Sequence, residues 1–376
     1  MSPFALPPLS FLVLVSLVNI RYTTAAPSLT DDSHCGCYLT NGTDTRYFTQ
    51  HKFFDFRDLE KYAGVPDILT DIDNTTNAPP TSDYFTSPDW TNTWAIQNWN
   101  TSGHGARSDA SVLRYNSPNN VYIEKNADPD NPSPKTWMTL RTGRLPDFQT
   151  AAEIESMSKD HLYQYLSIRL LARTIGAPGA VTAFFTYLEQ PTVQEADLEI
   201  LTAGPRDVVQ YTNQPSVDDD GDVIAQATQN ATLPDGLEWT EWAIHRLDWT
   251  PTQSTWYVNG RQTAQIAFQV PRDPAQVVLN AWSDGGQWTG KMSVHDAAYF
   301  QIQWLEMVFN STTVEKRDGE GQAGCKAVCS IDETPQTGKP VMLFDNAAQK
   351  GVSRASGLMV WVTTGTVLGM AYMSWA

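Results

Sequence analysis

Between Gln194 and Ile200 the chain reads Gln194-Glu195-Ala196-Asp197-Leu198-Glu199-Ile200, acid and apolar residues in strict alternation. A period of two fits a β-strand and no helix, because residues i, i+2 and i+4 of a strand share one face. Glu195, Asp197 and Glu199 therefore project together, while Ala196 and Leu198 face a core. Aligning three like charges is unfavourable, since each raises the pKa of the next. Glycosidic chemistry can use such a cluster: one carboxylate as nucleophile, one acid held protonated by its surroundings, and a third group between them. An acidic strand facing solvent is the alternative that the motif leaves open.

The rest of the chain shows the same short-strand pattern. Alternating runs broken by turns lie at Tyr47 to Phe56, Val121 to Glu124, Trp137 to Arg141, Leu162 to Leu171, Val181 to Tyr187, Ala196 to Leu201, Thr255 to Asn259 and Val277 to Trp282. Many short strands with few helical periods predict an all-β sandwich. Asp67 to Ser87 and Asn126 to Pro134 are rich in Asp, Asn, Thr and Pro and read as surface loops. With 42 acidic against 25 basic side chains the net charge is −17, which argues against nucleic acid as a partner.

These segments resemble glycoside hydrolase family 16 in their order. That family carries Glu-x-Asp-x-Glu on a strand. Upstream, Tyr165-Leu166-Ser167-Ile168-Arg169-Leu170 passes through Gly176-Ala177-Pro178-Gly179 into Val181-Thr182-Ala183-Phe184-Phe185-Thr186-Tyr187, similar to the family's strand, turn and Phe-Phe-Thr-Tyr strand. Downstream, His245-Arg246-Leu247-Asp248-Trp249 and Trp256-Tyr257-Val258-Asn259-Gly260 resemble its later hairpin, and Asn280-Ala281-Trp282 its aromatic-bearing strand.

The resemblance implies a concanavalin A-like jelly roll of two antiparallel sheets. It also implies a retaining endo-β-glycosidase or transglycosylase acting on cell-wall β-glucan, with chitin a candidate acceptor. By resemblance Glu195 is the nucleophile, Glu199 the general acid/base, and Asp197 the group that tunes both. The unbulged spacing resembles lichenases, xyloglucan transglycosylases and chitin–glucan crosslinking enzymes. Phe185, Tyr187, Asn280, Trp282 and Trp288 are candidate sugar-binding residues, and Tyr211 and Asn213 on the next strand are expected to line the cleft. His245 receives no catalytic role. Two departures stand out: Val193-Gln194 before the nucleophile, and Arg169 and Leu171 where the family carries a Glu-x-Arg pair, a loss expected to alter one sugar subsite. No cofactor or metal is expected. Asp218-Asp219-Asp220-Gly221-Asp222 lacks the Gly and Glu of a calcium loop and reads as a solvated acidic loop. A non-catalytic lectin-like protein is the competing reading.

Residues 1–26 read as a secretory signal, with an apolar run from Leu9 to Ile20 and small residues before Pro27. The glycosidase domain is expected over 27–333 and a short stalk over 334–346. Residues 347–376 read as a GPI-attachment propeptide, because small residues at Asn346-Ala347-Ala348 precede a polar spacer and the apolar Leu358 to Trp375. Asn346 is the candidate anchor site, and a retained membrane helix is the alternative. Sequons fall at Asn41, Asn74, Asn100, Asn230 and Asn310. Lys316-Arg317 reads as an exposed basic pair. A secreted chain with Cys35, Cys37, Cys325 and Cys329 is expected to pair each early cysteine with a late one, since Cys-x-Cys rings are strained; which meets which is open. The expected product is a monomer at the cell surface or wall, held to the plasma membrane by lipid.

Overall fold

The computed structural model describes residues 28–345, apart from 103–105, 130–131, 157–161, 219, 221, 313–324 and 333. The expected leader, the anchor tail with Asn346, and Lys316-Arg317 lie outside the described residues. The architecture is the expected all-β sandwich, with its longest α-helix the five residues Ile72–Thr76.

One layer, the cleft sheet, runs in the order Trp94–Ile96, Gln149–Ser156, Gln276–Trp282, Val181–Leu188, Gln194–Leu201, Val208–Gln214 and Thr228–Thr232. The second, the back sheet, runs through Arg261–Ile266, Ser254–Val258, Ala243–Trp249, Tyr163–Gly176 and Ala297–Ser311. The last of these spans both flanking strands, pairing through Ala297–Ile302 with Thr136–Arg144 and through Trp304–Phe309 with Gln50–Asp55. The layers join where Gly143 and Arg144 pair with Thr150 and Gln149.

Each inner face follows from the period-two pattern. Phe184, Ala196, Leu198, Ile200 and Leu279 of the cleft sheet pack on Leu166, Ile168, Leu170, Leu247, Trp249 and Trp256 of the back sheet. Burying each large side chain contributes about 1.5–3 kcal/mol. The turn from the back sheet into Val181–Leu188 begins at Gly176 with φ +114°, where a Cβ would come within 2.5 Å of the Ala297 carbonyl oxygen. Only glycine fits there.

A small third sheet covers the outer surface of the back sheet. Its order is Ser28–Leu29, Val341–Asp345, Ala327–Ser330, Cys37–Leu39 and Tyr47–Phe48. Residues 334–345, expected as a stalk, therefore end in a paired strand whose Val341 is fully buried. The stalk reading fails because Val341-Met342-Leu343-Phe344 has apolar surface to bury and an edge to join. The disulfides are Cys35–Cys329 and Cys37–Cys325, early to late as expected. With its cysteines 294 positions apart, the first removes about 5–6 kcal/mol of unfolded-state entropy in the chain-entropy account.

Beneath this sheet lies a buried charged network. His51 bonds Asp32 through Nδ1 at 2.8 Å and Glu306 through Nε2 at 3.0 Å. Arg169 pairs with Glu306 and Asp332, and Arg246 with Asp332 and Asp248. Burial opposes the charge on His51, but its two carboxylate partners overcome that and raise its pKa to about 9.

Candidate active site

Glu195, Asp197 and Glu199 do share one face, and Ala196, Leu198 and Ile200 point into the core behind them. The face opens into a cleft of about 570 Å³. Register builds its floor. Tyr187 sits opposite Glu195, Phe185 opposite Asp197 and Ala183 opposite Glu199. One strand further, Val278 stands beside Phe185 and Asn280 beside Ala183. The small Ala183 between Glu199 and Asn280 leaves a hollow in that row.

The three acids are short of cations and of donors. Asp197 is 2% exposed and neither of its oxygens meets a well-aligned donor. Burial first, then the charges of Glu195 and Glu199, push its pKa far above the carboxylate range, and the weak pull of Gln214 does not offset them. Burial raises Glu195 to about 7, against the lowering effect of a hydrogen bond with Asp197. Two carboxyl groups can share that bond only if one holds a proton, and it raises Asp197 while lowering Glu195. Both carboxyl groups are raised, so the pair holds a shared proton toward neutral pH. Glu199 rises to about 8, through burial and the charge of Glu195; the Gln210 amide, donating to Oε2 at 3.1 Å, and the more distant Arg107 pull it down. One strand thus carries three carboxyl groups, all raised, which ionise in sequence and not together.

Phe185, Tyr187, Asn280 and Trp282 all line the cleft, as expected. Phe185 and Tyr187 meet edge to face at 6.3 Å, and burial with surrounding carboxylates raises the Tyr187 phenol to about 12, so it stays a donor. Trp288 stacks beside Trp282 at 5.9 Å. The turn carrying it is closed by Asp284, whose Oδ1 accepts from the Gly286 amide and the Thr289 hydroxyl.

Tyr211 and Asn213 do not line the cleft. They pair with Leu198 and Ala196, so the same alternation that exposes the acids sends both into the core. Tyr211 packs on Trp256 at 5.3 Å, and the Asn213 amide donates to the Phe268 carbonyl. Their neighbours Gln210 and Thr212, opposite Glu199 and Asp197, take the cleft face instead. Arg169 and Leu171 lie on the outer side of the back sheet, so the residues there reshape no sugar subsite; Arg169 belongs to the buried network. His245 is buried in the core with both ring nitrogens unpartnered among the described residues, and burial lowers its pKa to about 4, keeping it neutral.

Sequence reasoning missed the far flank of the cleft. Glu153 and Glu155 reach it from Gln149–Ser156, Trp99 and Arg107 from the preceding loops, and Arg114 from the short strand Arg114–Asn116. The signal was present: Glu153-Ile154-Glu155 has the same period as the acid strand.

A xylanase/beta-glucanase of Ruminococcus flavefaciens is 24% identical over 143 residues, covering 36% of this chain but 16% of that protein. Among solved structures, a Bacillus licheniformis beta-glucanase superposes with a TM-score of 0.43 at 19% identity, covering 58% of this chain and 92% of its own. The laminarinase catalytic domain of Thermotoga maritima gives 0.47 at 16% identity, covering 73% and 98%. The model of glycosyl hydrolases family 16 matches residues 109–306, more than half of the chain, and its span holds the three acids and every other residue of the cleft floor named above. The protein belongs to glycosyl hydrolase family 16.

Proposed function

We propose that the protein is a retaining endo-β-glycosidase or transglycosylase that acts on cell-wall β-glucan. The observation that carries this is the placement of Glu195, Asp197 and Glu199 on one face of a strand at the cleft floor, where burial raises all three and holds Glu199 protonated toward pH 8. A Glu195 carboxylate oxygen attacks the anomeric carbon while Glu199 gives its proton to the departing glycosidic oxygen. The resulting glycosyl-enzyme is opened from the same face by water or a sugar hydroxyl, whose proton returns to Glu199 as the bond to Glu195 breaks. Two inversions retain configuration. Retention requires the carboxyl groups to close to about 5–5.5 Å across the bond, so the long Glu arms must converge from Cα positions about 13 Å apart on an extended strand. Aromatic faces at Phe185, Tyr187, Trp282 and Trp288 suit sugar rings, and the names of the relatives support β-glucan as the polymer.

The sequence supports a surface location. The leader over 1–26 and the tail over 347–376 suit a secreted monomer anchored by GPI at Asn346 beside its substrate. Of the five sequons, Asn41, Asn74 and Asn230 are exposed, while Asn100 and Asn310 are half-buried. Release of the protein from membranes by a GPI-specific phospholipase tests the anchor.

Product analysis on β-1,3-, β-1,4- and mixed-linkage glucans, with chitin oligomers as acceptors, tests the activity. Shorter or longer products with retained configuration, abolished in Glu195→Gln and Glu199→Gln, are expected. Binding without turnover in the native protein and both variants would replace this reading with a lectin.

A further inference from the structure

One part of the cleft takes no part in the chemistry above. On Gln149–Ser156, Glu153 pairs with Asn280 and Glu155 with Val278, on the same face as the acids. Three strand spacings, about 14 Å, separate them from the acid strand. A different ring of one bound sugar chain would meet them.

The hydrogen-bond inventory here is lopsided. Glu153, 5% exposed, accepts from the Trp99 indole at 2.6 Å and the Asn280 amide at 3.3 Å. Glu155 is raised to about 7 by burial and then by the charge of Glu153. Oδ1 of Asn280, a residue also 5% exposed, has no donor among the described residues. No ion pair reaches either glutamate among the described residues. Arg114, whose charge Glu153 stabilises from a distance, makes no ion pair with it and is stacked on Trp99 at 4.4 Å and Trp282 at 4.6 Å. This flank thus offers acceptors and negative charge and asks for donors and a cation. A sugar hydroxyl supplies a donor but leaves the charge uncompensated. An ammonium supplies three donors and the charge together.

We infer that the Glu153–Glu155–Asn280 flank is a subsite for a protonated amino sugar, so the polymer held in the cleft carries free amines. The inference rests on the glycosidase reading and narrows its substrate class. Seven acids and two arginines line the whole cleft, a balance that favours the same choice.

The test uses the Glu195→Gln protein, so that binding is read without turnover. Titration from pH 6 to pH 8, across the range in which Glu155 ionises, compares glucosamine oligomers, their fully N-acetylated counterparts and neutral β-1,4-glucan oligomers of equal length. Amine-bearing oligomers are expected to bind about tenfold more tightly than either control, the contribution of one charge-assisted hydrogen bond. Adding Glu155→Gln is expected to erase that preference, which the overall negative charge of the chain would not do. Equal affinity for the three oligomers, or a preference unmoved by Glu155→Gln, would overturn the proposal. The acetylated control decides the matter even if the double variant fails to fold. The glycosidase reading stands or falls separately: turnover of β-glucan by the native protein without amine preference sinks only the subsite. Amine preference without turnover sinks only the enzyme.

Discussion

The protein buries carboxylates on both sides of its sandwich and treats them in opposite ways. Behind the back sheet, Glu306 faces Arg169 and His51; burial alone would raise its pKa, yet these cations draw it below the usual range. In the cleft, Glu199 is only half-buried, with a Gln210 amide and a distant Arg107 as its partners, yet its pKa climbs to about 8. The residue type is shared and the more deeply buried of the two is the one lowered, so the partner decides. One cluster is satisfied and holds the fold; the other is left wanting and is available for chemistry.

The sharpest way to break this comparison is to neutralise an acid on each side. Glu195→Gln is expected to lower turnover about 10⁴-fold and Glu199→Gln about 10³-fold, with melting temperature unchanged or raised because a like charge has gone. Lost stability in either variant, read by calorimetry, would mean that these acids also hold the fold. Glu306→Gln should do the reverse. It takes one of two carboxylate partners from each of two buried cations and is expected to cost about 3 kcal/mol in denaturant unfolding while the folded fraction keeps its rate.

Titration sharpens the contrast. The cleft acids have folded pKa values above their unfolded 4.5, so their ionisation removes stability as pH rises through about 7 for Glu195 and about 8 for Glu199. His51 is also raised, so its contribution is complete below 6.5 and lost as pH passes about 9. Glu306 is lowered, and its contribution disappears only as acid protonates it. Melting temperature should therefore fall between pH 6 and 8, and Glu199→Gln should flatten that fall. The rate should follow a bell with limbs near 7 and 8. The smallest effect is expected from Gln210→Leu. Removing the amide that lowers Glu199 should move the alkaline limb upward, and an unmoved limb would exclude Gln210 from setting it.

Much of this was legible in the chain because period two is a strong local signal. It placed the three acids on one face and Ala196 and Leu198 behind them, and strand ends were read within a few residues except where Tyr163–Gly176 runs on past Leu171. Tyr211 and Asn213 failed by a single residue, since on a strand a one-residue shift changes the face. Gln149–Ser156 escaped notice because Thr150, Ala151 and Ala152 lack the bulky side chains that announce a strand. Which cations would meet which carboxylates was beyond local reading: Arg169 and Asp332 are 163 residues apart.

The small disulfide-stapled sheet has a directional consequence. It brings Ser28–Leu29 and Val341–Asp345 side by side on the surface opposite the cleft. The end of that strand at Asp345 and the cleft thus lie on opposite faces of the domain, which separates the point from which the proposed tether would start from the path of a polysaccharide.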